Sequence, residues 1–334
     1  MSNKHSIHKF AGKTQKQKTE NKPKNKNKAS KQVSKRMNGS TLQEYMNASK
    51  ASATKHAYAS DLRHFLAHGG TVPCTPKRLA KYLAESANDG LAIATLERRI
   101  TAIHKAHVDQ KQASPAHSEL VKQVMQGIRR TLGTKQRQVK PLTRHDLLAA
   151  LETIESVHMP VRAARDTALL LIGFASAMRR SELVGVCVEH LTFSPAGLEI
   201  ELPVSKTDQE RHGRTVFIPR AIGSHCPVLA LKCWLKTTGI RTGHVFRSVN
   251  RYDGVAKRGL TPQSVALIVK AAIAQNGADA QHFSGHSLRA GYCTSAAEQG
   301  QQSWQIREQT GHRSDLTLAR YIRHTSRRTS PSLI

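Results

Sequence analysis

The chain has few acids. Asp and Glu number 23 against 52 Lys and Arg, an excess of 29 positive charges over 334 residues. Such an imbalance asks for a polyanionic partner. Aromatic residues are scarce at 4%, and apolar residues reach only 38%, below the usual globular mix. Cysteine is sparse as well: Cys74, Cys187, Cys226, Cys233 and Cys293 are odd in number, scattered and without a C-x-x-C pair. That spacing argues against a disulfide framework and against a Cys-based zinc module, and it fits a reducing compartment. Long apolar runs are missing too. The longest, Ala168 to Met178, stops at Arg179 well short of a bilayer span, and the first thirty residues hold no apolar core of a signal peptide. The expectation is a soluble protein, not secreted by the usual route, with no membrane partner.

What is present is positive charge, unevenly spread. Residues 1–37 carry 12 Lys or Arg and one acid, Glu20, in a Lys/Asn/Gln/Ser background where Phe10 is the sole aromatic. Nothing there could offset the entropy of folding, so residues 1–39 read as a disordered basic arm. The remainder keeps 40 basic against 22 acidic residues, a surplus of 18. An arm alone could be a solubility tail or a localisation signal, whereas a folded core with that surplus points to backbone phosphates.

Apolar residues at helical spacing run from Ser40 to about Arg130: Leu42, Tyr45 and Met46; Tyr58, Leu62, Phe65 and Leu66; Leu79, Tyr82 and Leu83; Leu96, Ile100 and Ile103. Gly69-Gly70, Pro73, Pro76, Asn88-Asp89-Gly90 and Ser114-Pro115 punctuate them, and Ser118 to Leu132 forms one more basic amphipathic helix. Residues 40–132 are therefore a small all-α domain, and the basic stretch 133–141, nearly devoid of apolar residues, is a linker. Thr143, with Asp146 at the capping-box distance, opens the next helix, and Ala168 to Ala175 reads as a buried helix. Leu198, Ile200, Leu202 and Val204 alternate with Glu199, Glu201 and Pro203, and a second alternating run covers Arg214 to Pro219. Two facing strands follow, joined by a long connection, Ser205 to Gly213, that carries Lys206; after Pro227 the pattern returns to helix. The second domain, 142–325, is mainly α with a small antiparallel sheet, followed by a tail at 326–334.

Four clusters stand out once these segments are placed: Met178-Arg179-Arg180-Ser181-Glu182-Leu183, Lys206, His286-Ser287-Leu288-Arg289, and Gly311-His312 with Tyr321. Singly each has an ordinary explanation. An Arg beside a Glu is usually a surface ion pair, a Lys in a turn is usually solvated, and a Tyr on an amphipathic helix is usually packing. Their order is harder to dismiss: Arg, then Lys on a hairpin, then H-x-x-R on a helix, then G-H 23 residues on, then Tyr after nine more. This order, and the segments SAMRRSEL, GHSLRAGYCTSAAEQG and QTGHRSDLTLARYIRH, resemble the tyrosine recombinase (phage integrase) family. The resemblance covers Thr143 to His324 closely and Ser40 to Arg130 loosely. It departs at Ala177, where the family usually has Gly, and at Thr310, where Leu or Met is commoner; neither change removes a functional side chain, so both are expected to bear on packing more than on activity.

The resemblance implies a site-specific recombinase, or integrase, that cuts and rejoins DNA strands through a 3′-phosphotyrosine, without metal, ATP or any other cofactor. Tyr321 would be the nucleophile, because a phenol can form a covalent phosphoenzyme and is a better leaving group than an alkoxide. Arg179 and Arg289 would clamp the phosphate with forked guanidiniums. Lys206 would protonate the departing 5′-oxygen, His286 would do acid–base work near Tyr321, His312 would hydrogen-bond the scissile phosphate, and Glu182 would orient its neighbours. The pattern R-x-S-E selects Arg179 over Arg180. The partners implied are double-stranded DNA and further copies of the chain, a tetramer on two DNA sites, with room for an accessory DNA-binding protein; the setting is a mobile genetic element and the cytoplasmic nucleoid.

The same residues admit other readings. His282 and His286 form H-x₃-H, but no second ligand pair is near in sequence, which disfavours zinc. Phe174, Phe193, Phe217 and Phe246 read as packing, Trp304 as either core or a cover for the site, and His64, His104, His107 and His190 as surface or satisfied polar residues. A type IB topoisomerase uses the same covalent chemistry with different flanking domains. A catalytically inactive DNA-binding relative should have lost Tyr321 or an arginine, and all are present. A telomere resolvase or a transposase of the same superfamily differs mainly in substrate geometry and stays open.

Overall fold

A computed structural model describes residues 44–45, 51–134, 139–203, 213–319 and 321. The arm at 1–39, Lys206 and Val204 in the hairpin connection, and the tail at 326–334 lie outside the described residues. The chain divides into two compact units, Met1–Gln136 and Arg137–Ile334.

The first unit is helical among its described residues: α1 (Ser52–Ala67), α2 (Pro76–Asn88), α3 (Ile93–Asp109) and α4 (Glu119–Leu132). Local chemistry starts two of these. The Thr75 hydroxyl accepts from the Arg78 N–H with Pro76 at the first helical position, and the Ser118 hydroxyl accepts from the Val121 N–H. Phe65, Leu79, Tyr82, Leu83, Leu96, Ile103, Val121 and Met125 form one core. Several buried polar groups are matched, while Arg99 Nε and His104 Nδ1 carry no hydrogen bond among the described residues. The Asp61 carboxylate takes a forked pair of bonds from Arg98 at 2.7 and 3.0 Å, and His107 lies 2.8 Å from the Ile103 carbonyl while its Nε2 accepts from the Cys74 N–H.

In the second unit, α5 (Arg144–Val157) opens with the capping box expected at Thr143 and Asp146. It is followed by α6 (Pro160–Ala175), α7 (Arg180–Gly185), strands β1 (Leu191–Phe193), β2 (Gly197–Leu202) and β3 (Arg214–Pro219), then α8 (Pro227–Thr238), β4 (Arg247–Val249), β5 (Val255–Gly259), α9 (Pro262–Gln275), α10 (Ser287–Glu298) and α11 (Ser303–Thr310). Residues 315–319 and Tyr321 are helical. The apolar α6 is central, packing on α5, α8 and α10. Trp234 of α8 is fully buried and donates its indole N–H to the Val245 carbonyl at 2.9 Å.

Strands β1, β2 and β3 make an antiparallel sheet in that order, with Leu202 opposite Arg214. The alternation in β2 is as expected: Leu198, Ile200 and Leu202 face the core, and Glu199 and Glu201 face out. Two features depart from expectation. Strands β4 and β5 form a separate hairpin in a stretch that read as helical; β5 is mostly exposed and Val255-Ala-Lys-Arg-Gly259 has no apolar alternation to betray it. The turn of this hairpin has a purpose, since the Asp253 carboxylate accepts from the Val161 and Arg162 N–H groups and caps α6. Phe217 is not core but 42% exposed on the outer face of β3, whereas Phe246 is buried and Phe174 and Phe193 are partly so.

The start of this unit is tied down by backbone: the Lys140 N–H donates to the His282 carbonyl and the Leu142 N–H to that of Ser287. Leu142 then lies against α10 so closely that a Cβ on Gly291 would sit 1.7 Å from the Leu142 carbonyl oxygen. Gly291→Ala is therefore expected to lower unfolding free energy by about 2–3 kcal/mol in a urea titration. Gly127→Ala, on α4 with nothing within 4 Å of its Cβ, should raise it by about 0.5–1 kcal/mol. Equal effects at the two positions would contradict this packing.

Candidate active site

The site is assembled around one buried acid. Glu182 sits in the first turn of α7, where its carboxylate accepts from the Arg179 N–H at 2.9 Å, from the Arg179 guanidinium at 2.6 Å and from the Arg214 guanidinium at 3.3 Å. Burial alone would raise the Glu182 carboxyl, but the hydrogen bonds from Arg179 and the nearby charges of Arg179 and Arg214 outweigh it and hold the group below its ordinary range. Arg179 turns inward with its side chain 17% exposed, while Arg180 is exposed.

The third guanidinium comes from α10. Arg289 is fully buried and donates to the carbonyls of Ala177 at 2.7 Å and Thr310 at 2.6 Å. Burial, followed by the positive charge of Arg179, lowers its pKa to about 10, so it stays charged at neutral pH. The Ala177 carbonyl is aimed by backbone at φ 49°, a left-handed conformation that costs an L residue about 1–2 kcal/mol and favours glycine.

His286 stands at the N-cap of α10, and its Nε2 lies 2.6 Å from the Tyr321 hydroxyl. Burial first, then the charges of Arg289, Arg179 and Arg180, lowers the His286 pKa, so the ring is neutral and can accept the phenolic proton. His312 also lies against the phenol, with ring centroids 5.7 Å apart. Its pKa is pushed down to about 3 by burial and by Arg289, Arg179, His286 and Arg214. The structure thus brings together Arg179, Glu182, His286, Arg289, His312 and Tyr321; Lys206 is the one expected site residue outside the described residues.

One site residue was missed. Arg214 opens β3, bridges the Glu182 carboxylate and the Gln309 carbonyl, and lies against Gly311, where a Cβ would come 3.2 Å from its guanidinium carbon. A signal existed: Arg214 shares strand parity with buried Val216 and Ile218, which puts a charge on the inward face. For Thr310 it is the contact that escaped: its hydroxyl lies 2.8 Å from His312 Nδ1. Trp304 is 61% exposed and belongs to no core. His282 faces Asp279 at 3.5 Å while His286 faces Tyr321, and among the described residues no group of three His, Cys, Asp or Glu is placed to hold a metal ion.

Comparison with known proteins gives this cluster its setting. Residues 140–328 match the model of the phage integrase family. An integrase/recombinase xerD homolog from Selenomonas ruminantium is 39% identical over 283 residues, covering 82% of each chain. The fold is similar to that of the XerH site-specific recombinase bound to its palindromic difH substrate (TM-score 0.60, 20% identity, 82% of this chain and 77% of that one). It is also similar to that of a lambda integrase tetramer bound to a Holliday junction (TM-score 0.56, 16% identity, 87% and 80%). The protein is a DNA strand-transferring enzyme, a recombinase of the tyrosine class. The chain belongs to the phage integrase family.

Two outcomes test the site in the absence of DNA. Arg214→Ala strips a cation from a buried carboxylate and should destabilise the second unit by about 3 kcal/mol in urea; a change below about 0.5 kcal/mol would contradict the bridge. The depressed His286 and His312 make the unfolded chain bind more protons than the native one below pH about 6.5. Stability should therefore fall as pH drops from 7 to 5, and His312→Asn should make that fall shallower; equal slopes would contradict it.

Proposed function

We propose that Tyr321 is the nucleophile of a metal- and ATP-independent transesterification on DNA, with Arg179, Arg289, His286 and His312 as its phosphate and proton machinery. The observation that carries this is the 2.6 Å contact between Tyr321 and neutral His286, beside a cluster of guanidiniums. The phenol gives its proton to His286 Nε2, the Tyr321 oxygen–phosphorus bond forms, and the phosphorus–O5′ bond breaks. Lys206 supplies the proton to the departing 5′-oxygen, a role that rests on the family resemblance. Arg179 and Arg289 neutralise the non-bridging oxygens as charge builds in the transition state, and Glu182 and Arg214 hold them in place. Religation reverses these steps with a 5′-hydroxyl from the partner duplex. Ester is exchanged for ester, so the bond energy is kept.

The working assembly is a tetramer on two DNA sites. The lambda integrase of similar fold, solved as a tetramer on a Holliday junction, supports that reading. The division of labour is a helical DNA-binding domain at 40–132, a linker at 133–141, a catalytic domain at 142–325, and a basic arm that adds affinity for phosphates. Mobility of a genetic element, in the nucleoid, is the biological task. No helix among the described residues is long and apolar enough to cross a membrane.

The test uses a random-sequence library of nicked suicide duplexes, in chelator and without ATP. The full-length protein should form a covalent adduct that maps to Tyr321, and Tyr321→Phe should bind DNA equally but form none. An adduct on the Phe variant, or one that needs added metal, would overturn the proposal.

A further inference from the structure

Thr310 ends α11 and is fully buried. Its carbonyl accepts from Arg289 and its hydroxyl touches His312, so one residue meets two of the groups assigned to the phosphate. Gly311 makes this possible. At φ +69° it turns the chain back after the helix, letting residues 310 and 312 face each other although they are only two apart.

The Thr310 hydroxyl has two close partners, the Ile306 carbonyl at 2.7 Å and His312 Nδ1 at 2.8 Å, with the Arg307 carbonyl farther off at 3.4 Å. It carries a single proton and can donate to one of them only. If it donates to Ile306, it must accept from His312, and the ring then carries its proton on Nδ1 and a lone pair on Nε2. If it turns to donate to Nδ1, the ring's proton sits on Nε2. The ring is neutral, being buried and crowded by Arg289, Arg179, His286 and Arg214, so it has just one proton to place. Only the second arrangement offers an N–H to a phosphate oxygen, because Nδ1 is occupied by Thr310.

We propose that Thr310 is a positioning residue whose hydroxyl rotor selects the tautomer of His312: turned to Ile306 in the free protein, and turned to Nδ1 when a phosphate oxygen takes the Nε2 proton. The hydroxyl acts through His312 and touches no substrate. The inference rests on the assignment of His312 to the scissile phosphate.

The test compares Thr310→Val, which keeps the shape and loses the hydroxyl, with Thr310→Ser, which keeps the hydroxyl. Ring ¹⁵N shifts of His312 are read in the full-length protein, with the signal assigned by its absence from His312→Asn. Adduct formation and DNA affinity are measured on a duplex selected from the suicide library. The parent should show the Nδ1–H form when free and the Nε2–H form on DNA. The Val variant should lose that preference and form adduct about tenfold more slowly, matching roughly 1.4 kcal/mol of tautomer bias, with affinity within about twofold. The Ser variant should recover both. A Val variant with parental tautomer and rate, or a Ser variant no better than Val, would overturn the inference. An adduct on Tyr321→Phe would instead sink the underlying function, and the tautomer readout, taken in the free protein, keeps the two failures apart.

Discussion

Three guanidiniums gathered around one buried carboxylate are the constraint on which the catalytic unit depends. Arg179, Arg214 and Arg289 repel one another in a site shielded from water, and Glu182 cancels only part of that charge. Backbone carbonyls of Ala177, Thr310 and Gln309 supply further partners. The result is a cationic cradle whose guanidiniums are held by Glu182 and by backbone carbonyls. Such preorganisation is what a developing phosphorane charge requires, since no further reorganisation is needed at the moment of reaction.

The cradle also explains why the fold around it looks as it does. Its groups come from the start of α7, the start of β3, the first turn of α10 and the end of α11, four segments far apart in sequence. The contacts among them therefore staple the unit as well as build the site. Gln309 shows this plainly, donating to the carbonyls of Ala175 and Phe217 while its own carbonyl holds Arg214. Burial, reinforced by the same positive field, keeps His286 and His312 neutral.

Much of this was legible in the sequence, and for physical reasons. Helical spacing at Leu79, Tyr82 and Leu83 or along Ala168 to Ala175 reflects faces that must be buried, and the Leu198, Ile200, Leu202 alternation reflects a half-buried strand. The order of Arg179, the His286-x-x-Arg289 pair, His312 and Tyr321 was readable because it resembles that of the phage integrase family. What escaped depends on tertiary context. Strand β5 has no apolar period because it is mostly exposed, and its hairpin matters through the single Asp253 cap. The contact between Thr310 and His312 escaped because residues two apart diverge on a helix, and only the left-handed turn at Gly311 folds the imidazole back onto the hydroxyl. Arg214 was legible in strand parity, as a charge on the face that Val216 and Ile218 bury.

The central claim is that these guanidiniums act on one shared space. It is tested most directly by an NMR titration of the His312 ring in the DNA-free protein, alongside Arg179→Met and Arg289→Met. The account predicts no protonation of the parent ring down to pH 5 and a higher pKa in each variant, as a neighbouring cation is removed. A parent ring that titrates at its ordinary value, near 6.5, and does not respond to either substitution would contradict it.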